Sequence, residues 1–375
     1  MSAGVAAAVA ALALSGGVAL ASSPHWSLVT SPNSGTLNNS LGAVSCVGSS
    51  FCMAAGDYYN GSYDQTLIEK WNRSSWKVVS SPNTSSTQAN YLGEVSCVSS
   101  SFCMAAGAYY NGSYDQTLIE KWNGSSWKVV SSPNSSALWN DLYGVSCVGS
   151  SFCMAVGDYF NGLVYQTLIE KWNGSSWNVV SSPNSSTQGD NLNGVSCVSS
   201  GFCVAAGDYS NGTVDLTQIE NWNGSDWSLV TSPNISSTDD NILYGVRCVS
   251  KSFCMAAGHD YNGTTDQTLI EKWNGSTWSL VTSPNTSSAE DNFIGAVSCV
   301  SSSFCMASGT YYNGSNDQTL IENWNGSTWK LVSSPNRSST GDNALGGLSC
   351  VSSSFCMAAG YEVNGTTYQT LIEKW

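Results

Sequence analysis

The sequence predicts an all-β fold, a seven-bladed β-propeller with four antiparallel strands in each blade. Three observations lead to this prediction. Similar units follow one another with their first cysteines 50 or 51 residues apart, each unit contains four short apolar runs between turn signals, and one repeated tryptophan motif is split between the two chain ends. A period of this length with four strands per unit is typical of propeller blades.

The second copy of the unit shows how each strand is predicted. The segments "LGEVSCV" and "FCMAAGAYY" are separated by "SSS", and the second of them ends at the turn signal Asn111-Gly112. The segment "QTLIEKW" is closed by Asn123-Gly124, and "WKVVSSP" ends at Pro133. Apolar runs of this length between Asn-Gly and Ser-rich turns predict strands joined by hairpins, and no segment has a helical apolar period.

The two ends of the chain predict a closed ring. Each internal unit has two tryptophans five residues apart, such as Trp122 and Trp127, whereas Trp26 and Trp375 each have only half of the motif. We therefore expect the N-terminal strand to be the outermost strand of the last blade, which leaves no unpaired sheet edge at the seam. The predicted blades within the single domain 22–375 are 33–82, 83–133, 134–183, 184–233, 234–284, 285–335, and 336–375 with 24–32.

All 14 cysteines are predicted to form disulfides between the first two strands of a blade. The pairs are Cys46–Cys52, Cys97–Cys103, Cys147–Cys153, Cys197–Cys203, Cys248–Cys254, Cys299–Cys305 and Cys350–Cys356. Each closes a short loop, for which the entropic model allows about 2 kcal/mol of stabilisation. Structural zinc is the alternative, but it needs four close ligands, and the chain offers only His25 and His259 beside widely spaced cysteines.

Composition and the N-terminal segment indicate an exported protein. Residues 1–21 are apolar and end in Ala19-Leu20-Ala21, which resembles a signal-peptide cleavage site, and disulfides persist in oxidising compartments. The net charge of −14 opposes binding to nucleic acid, and no second long apolar segment suggests membrane insertion. We expect a secreted, extracellular monomer.

The combination "SCVxxxFCxAxG … TLIEKWNGSSWxxVxSPN" resembles a group of secreted bacterial repeat proteins with paired cysteines and a W-N-G-x-x-W hairpin. These proteins are similar in plan to kelch and galactose-oxidase-type propellers, and the resemblance covers about residues 24–375. It implies the architecture and no agreed activity. The double glycine of kelch repeats, a copper-binding Tyr/His set, and the aspartate box and arginine triad of sialidases are absent, so no enzymatic assignment is carried over.

Two sets of loops, 56–65 and 132–143 with their copies, are predicted to share one face of the ring, which collects Tyr, Asp and Asn. Flat rings beside carboxylates and amides suit a neutral sugar, which packs its C–H face on a ring and hydrogen-bonds through its hydroxyls. Packing of these tyrosines between blades is the structural alternative. Trp139, outside the tryptophan pairs, is predicted to be an exposed contact. The candidate ligand-binding residues are Asp57, Tyr58, Tyr59, Tyr109, Tyr110, Trp139, Asp158, Tyr159, Asp208, Tyr209, Asp260, Tyr261, Tyr311 and Tyr312.

The recurring glutamate of "TLIE", for example Glu69, is interpreted as a structural hydrogen-bond acceptor or as a partner of the next residue, Lys70. One glutamate per blade is too dispersed for glycoside hydrolysis, which needs two carboxyl groups across one bond. We therefore predict a binding module without catalytic residues, metal or cofactor, although Ca²⁺ bridging aspartates is retained as an alternative. The expected partner is an extracellular glycan, bound in a multivalent manner by repeated weak sites on the loop face, because near-identical blades favour repeated sites over a single one. A scaffold binding a cell-surface protein and a polysaccharide lyase or glycoside hydrolase are the other hypotheses.

Overall fold

A computed structural model of the chain, which describes residues 25–375, shows seven four-stranded antiparallel sheets arranged as blades around a central channel. This confirms the predicted fold class, and no helix occurs within the described residues. The predicted signal peptide, residues 1–21, lies outside them. Within residues 25–375, no helix is long and apolar enough to cross a membrane.

Each blade runs outward from the channel in sequence order, except at the seam. The innermost strands are β2 (Asn39–Gly48), β6 (Asn90–Ser99), β10 (Asn140–Gly149), β14 (Asp190–Ser199), β18 (Asn241–Ser250), β22 (Asn292–Ser301) and β26 (Asn343–Ser352). The second strands are β3 (Phe51–Tyr59), β7 (Phe102–Tyr110), β11 (Phe152–Phe160), β15 (Phe202–Ser210), β19 (Phe253–Tyr261), β23 (Phe304–Tyr312) and β27 (Phe355–Asn364).

The outer half of each blade consists of one long strand and one short strand. The third strands are β4 (Asp64–Trp71), β8 (Asp115–Trp122), β12 (Tyr165–Trp172), β16 (Asp215–Trp222), β20 (Asp266–Trp273), β24 (Asp317–Trp324) and β28 (Thr367–Lys374). The outermost strands are β5 (Trp76–Val79), β9 (Trp127–Val130), β13 (Trp177–Val180), β17 (Trp227–Val230), β21 (Trp278–Leu280), β25 (Trp329–Leu331) and β1 (Ser27–Val29). We call the end of the ring with the second-to-third-strand turns and the interblade loops the upper face, and the end with the cysteine hairpins the lower face.

The seam between the chain ends has the structure of an internal blade. Strand β1 pairs with β28 in the register Leu28 opposite Glu373, and Trp26 is 3% exposed. The rings of Trp26 and Trp375 lie 5.9 Å apart at 48°, close to the 5.8 Å and 46° of Trp122 and Trp127. The predicted ring closure is therefore confirmed.

The predicted disulfides are also confirmed in all seven blades. Cys46 and Cys52 lie directly opposite each other on β2 and β3, and the other six pairs repeat this register. Among residues 25–375 no cysteine is left free, so the zinc alternative is wrong. Pairing follows from local geometry, because a tight hairpin turn places the two side chains on the same face of neighbouring strands.

A bulge near the upper end of each innermost strand explains the glycine that ends the motif "CMAAG". The register of β2 and β3 shifts between Leu41 and Ala43, and Gly56 lies opposite Leu41. A Cβ atom added to Gly56 would lie 2.8 Å from the Leu41 Cα atom and closer still to the Ser40 carbonyl oxygen. Only glycine fits where the strands approach this closely. The glycine thus allows the innermost strand to bend at the upper mouth of the channel.

The glutamates of "TLIE" bind a serine of the preceding blade. A serine follows the outermost strand of every blade. Its Oγ atom lies 2.8–3.0 Å from both carboxyl oxygens of the glutamate in the next blade. The pairs are Ser31–Glu69, Ser81–Glu120, Ser132–Glu170, Ser182–Glu220, Ser232–Glu271, Ser283–Glu322 and Ser334–Glu373. The hydrogen-bond interpretation is therefore confirmed.

The alternative pairing of Glu69 with Lys70 is wrong, because successive residues of a strand point to opposite faces of the sheet. Lys70 instead places its Nζ atom 5.1 Å from the ring centroid of Trp122 in the next blade. The same lysine–tryptophan contact recurs at four other interfaces. Each such cation–π contact contributes about 0.5–2 kcal/mol, depending on its exposure. One face of the third strand therefore binds the preceding blade through glutamate, and the other binds the next blade through lysine.

Arg73 offers a direct test of the turn chemistry. It has a φ of 86°, whereas glycine occupies this left-handed position in the corresponding turns, as at Gly124 with a φ of 97°. A side chain in this conformation costs about 1 kcal/mol. We expect Arg73→Gly to raise the melting temperature by about 2–4 °C in differential scanning calorimetry. The reciprocal variant Gly124→Arg should lower it, and an unchanged or lower melting temperature for Arg73→Gly would contradict this explanation.

Candidate functional site

The seven blades differ most from one another at the upper mouth of the central channel. Three positions per blade surround this mouth, and we call the concave surface that they form the axial bowl. Two of the positions lie on the innermost strand. The first comprises Ser40, Tyr91, Asp141, Asn191, Ile242, Phe293 and Ala344. The second, two residues later, comprises Gly42, Gly93, Tyr143, Asn193, Tyr244, Gly295 and Gly346. The second-strand position opposite the first set comprises Asp57, Ala108, Asp158, Asp208, His259, Thr310 and Tyr361.

A cavity of about 310 Å³ opens on one side of the bowl, where blades 5, 6, 7 and 1 meet. Asp57, Tyr244, Phe293, Thr310 and Tyr361 contribute to its lining. This volume is at the lower end of the range that small-molecule sites occupy. Aromatic rings and one carboxyl group therefore share a space large enough for a monosaccharide unit.

Blade 3 contributes a tyrosine–carboxylate cluster to the bowl. The Tyr143 hydroxyl donates a hydrogen bond of 3.2 Å to Oδ2 of Asp158, and Asp158 lies opposite Asp141 on the neighbouring strand. Burial and the charge of Asp141 raise the pKa of Asp158 to about 7, and burial raises that of Asp141 to about 6. Oδ1 of Asp158 is buried and has no hydrogen-bond partner among residues 25–375. Because these pKa values lie close to neutral pH, each carboxyl group is available in both its protonated and its ionised form, so it can donate or accept hydrogen bonds.

Blades 4 and 1 hold their carboxyl groups with amides or a hydroxyl. The side-chain amides of Asn191 and Asn193 donate hydrogen bonds of 3.2 and 3.1 Å to Asp208. The Ser40 hydroxyl donates one of 3.2 Å to Asp57. Burial raises the pKa of Asp208 and of Asp57 to about 6. The carboxyl oxygens are therefore oriented before any ligand binds, which lowers the entropic cost of binding.

An imidazole takes the place of the carboxyl group in blade 5. The His259 ring stacks on Tyr244 with the centroids 5.5 Å apart and meets the edge of Phe293 at 5.0 Å. Its Nε2 atom lies 3.5 Å from a carboxyl oxygen of Asp266. Burial lowers the pKa of His259, although the charge of Asp266 acts in the opposite direction. Blade 5 therefore presents a largely neutral aromatic surface beside the carboxyl groups of the other blades.

Only some of the residues that the sequence predicted for the site lie at the axial bowl. Asp57, Asp158 and Asp208 lie together at the axial bowl. Asp260 does not share their position, because it lies opposite Asn241, where five other blades have tyrosine and blade 7 has Glu362. His259 occupies the aspartate position instead. The predicted loop range 56–65 is too long, because the second strand continues to Tyr59 and its equivalents, as the run "FCMAAGAYY" indicates for the second copy.

The predicted tyrosines lie farther from the channel and fall into two groups. The half-buried Tyr58, Tyr109, Tyr159 and Tyr311 pack against the hydrophobic clusters between blades. The remaining ones stand at the upper ends of the second strands and are half-buried or exposed, namely Tyr59, Tyr110, Tyr209, Tyr261 and Tyr312. The interblade packing that was kept as the structural alternative thus accounts for the first group.

Trp139 is half-buried rather than fully exposed. Its ring centroid lies 4.5 Å from that of Tyr114 and 5.7 Å from that of Phe160. The Phe160 ring centroid in turn lies 5.2 Å from that of Tyr165. These contacts form a short aromatic row across the upper face between blades 2 and 3, away from the channel. Among residues 25–375, no group of three or more His, Cys, Asp or Glu side chains is placed to hold a metal ion.

Sequence reasoning missed Tyr91, Tyr143, Asn193, Tyr244 and Phe293, which line the mouth. A signal for them is present in the aligned copies, because the innermost strands begin "NSLGAV", "NYLGEV", "NDLYGV", "DNLNGV", "NILYGV", "NFIGAV" and "NALGGL". The seven segments differ at the positions that face the mouth, while the lower-face motifs change little. Positions at which otherwise similar repeats differ are therefore the best sequence indication of a site on the axis.

Comparisons with known proteins establish the fold. The sequence matches no protein-family profile, and no curated protein is similar to it. The structure is similar to "YCF48 bound to D1 peptide" with a TM-score of 0.59, at 11% identity over 95% of this chain and 98% of that one. It is also similar to a PL25 ulvan lyase, a polysaccharide lyase, bound to -[GlcA(1-4)Rha3S]-, with a TM-score of 0.54 at 10% identity over 89% of this chain and 96% of the lyase. At these identities the similarity concerns the propeller and not an activity.

Proposed function

We propose that the protein is a secreted, monomeric binding module that holds a neutral glycan in the axial bowl. The observation that carries this proposal is the convergence of unlike side chains at one place on a ring of otherwise similar blades. Identical blades would offer several equivalent sites, whereas the bowl combines tyrosines, carboxyl groups, amides and an imidazole around a single axis. A ring of this kind suits one specific ligand better than several weak ones.

The chemistry of the bowl favours hydroxyl-rich, uncharged ligands. Tyr91, Tyr143 and Tyr244 are 38–40% exposed, so each leaves part of its ring free to pack against the C–H face of a sugar. The carboxyl groups have pKa values of about 6 to 7, so near neutral pH they can donate and accept hydrogen bonds with hydroxyl groups. The acidic surroundings repel anionic ligands.

Two features support an extracellular location. Seven disulfides among residues 25–375 indicate an oxidising environment, because such bonds are rare in reducing compartments. The apolar segment 1–21 with its A-x-A-like end has the composition of an export signal. A soluble glycan-binding module would find its ligand on a cell surface or in the surrounding matrix.

A glycan array first identifies the neutral oligosaccharides that the parent protein binds. These oligosaccharides are then titrated by calorimetry into the parent protein and into two matched tyrosine variants. Tyr244→Ala removes a ring from the bowl, whereas Tyr110→Ala removes a similarly exposed ring from the outer part of the upper face. We expect one ligand per chain, a loss of about tenfold or more in affinity for Tyr244→Ala, and little change for Tyr110→Ala.

Other outcomes would point to the remaining hypotheses. Several ligands per chain, with Tyr110→Ala weakening their binding, would contradict an axial site and favour repeated sites on the outer tyrosines. Absence of glycan binding together with a specific cell-surface protein partner would favour the scaffold. Release of sugar during the titration would identify a lyase or hydrolase.

A further inference from the structure

The lower mouth of the central channel forms a second concave space, separate from the axial bowl. This space, which we call the lower funnel, has a volume of about 510 Å³ and lies among the ends of the innermost strands. Six of the seven blades place a serine one residue before the first cysteine, and blade 5 has Arg247 there instead. The lower funnel therefore contains a single guanidinium group among repeated serines and valines.

The serines are part of a hydrogen-bonded ring that Arg247 interrupts. At six interfaces the backbone N–H of the first cysteine donates a hydrogen bond of 2.9–3.0 Å to the serine Oγ atom of the preceding blade, as Cys97 does to Ser45. At the interface after blade 5, Cys299 lacks this partner because Arg247 stands in place of the serine. The arginine thus removes a structural hydrogen bond that the other interfaces keep.

The Arg247 guanidinium has no hydrogen bond and no ion pair within 4 Å among residues 25–375, and its side chain is exposed to the funnel. The charged group that acts on it electrostatically is Glu94, which lines a smaller cavity of about 90 Å³ in the channel. Oε1 of Glu94 already accepts a hydrogen bond of 2.9 Å from the backbone N–H of Val95. The guanidinium donors therefore remain available to a ligand that enters from below.

We propose that the lower funnel is an anion site in which Arg247 binds the carboxylate of a small organic acid. A guanidinium group has two parallel N–H donors that match the two oxygens of a carboxylate, and such bidentate pairs are among the stronger hydrogen bonds in proteins. The serine hydroxyls are placed to contact polar groups of the same ligand, and Val249 and Val300 offer apolar contacts. This site is independent of the glycan proposed for the axial bowl.

The test compares D-glucuronate with D-glucose, which differ at one carboxylate, by titration calorimetry at low ionic strength. We expect the parent protein to bind glucuronate and to bind glucose in the funnel at least tenfold more weakly. Arg247→Ser should lower the glucuronate affinity by about tenfold or more, since it restores the serine of the other blades and removes the guanidinium. Arg73→Gly, which removes an arginine from a distant exposed turn, should leave it unchanged.

Two further measurements separate this site from a purely structural role of Arg247. The Arg247→Ser protein should melt at the same or a higher temperature than the parent, because Cys299 regains a serine partner. Glu94→Gln should bind glucuronate more tightly, because it removes a negative charge that opposes binding of a carboxylate near the guanidinium. Equal affinity of glucuronate for the parent and Arg247→Ser proteins, or no binding of glucuronate by the parent and Glu94→Gln proteins, would overturn the proposal.

Discussion

Deletion of residues 25–32 is expected to abolish cooperative folding of the ring or to lower its melting temperature by more than 15 °C. The deletion removes β1, and with it the buried Trp26 and its contact with Trp375. It also leaves Glu69 buried without Ser31, its hydrogen-bond partner. Loss of a buried tryptophan alone costs about 3–5 kcal/mol, a large share of the 5–15 kcal/mol that stabilises a typical protein.

A chain that starts at residue 22, after the predicted cleavage site, is the reference for this deletion in calorimetry and circular dichroism. A synthetic peptide of residues 25–34 should restore part of the lost stability, since it can pair with β28. The single variants Trp26→Ala and Trp127→Ala should destabilise the protein by similar amounts, because the seam has the geometry of an internal blade. A deletion variant that melts like the reference would show that the ring does not depend on its closing strand.

The second large effect is a loss of stability as the pH rises, caused by the seven interblade glutamates. Each is fully buried, and burial raises its pKa from 4.5 to about 8, with the serine hydrogen bond acting in the opposite direction. Between pH 4.5 and 8 the folded chain therefore keeps protons that the unfolded chain releases. The free energy of unfolding must fall as the pH rises through this window, and the glutamates add no further change above it.

We expect a melting temperature on the order of 10 °C higher at pH 5 than at pH 8.5. Glu170→Gln isolates the contribution of one site, because glutamine can still accept the hydrogen bond from Ser132 but does not ionise. Relative to the parent, this variant should be more stable at pH 8.5 than at pH 5.

The matched control is Glu290→Gln in the loop between blades 5 and 6, where the side chain is half-buried. Its stability relative to the parent should change little with pH. If Glu170→Gln had the same pH profile as the parent protein, the interblade glutamates would not be the protonated groups that this explanation requires.

The sequence by itself determined the repeat, the four strands of each blade, the seam and the disulfides. The strands and the disulfides depend on contacts between neighbouring segments of the chain, and the seam follows from comparing the copies of one motif. Cys46 and Cys52 face each other across one hairpin, and the split between Trp26 and Trp375 is visible because the other copies contain the complete motif. Alternation of apolar residues and turn chemistry are local properties, so they can be interpreted without knowing how the blades are arranged.

Only the tertiary structure decided which residues meet between blades and on the axis. Each interblade glutamate finds its serine 38 or 39 residues away, and no local pattern indicates that pairing. The residues of the axial bowl come from blades about 50 residues apart, so their proximity depends on the number of blades and on the bend at each innermost strand. His259 and Arg247 belong to the same blade, but they lie at opposite ends of the channel. Arg247 is near the lower end of β18, and His259 is near the upper end of β19. Such positions are set by closure of the ring, which brings together side chains that no stretch of sequence relates.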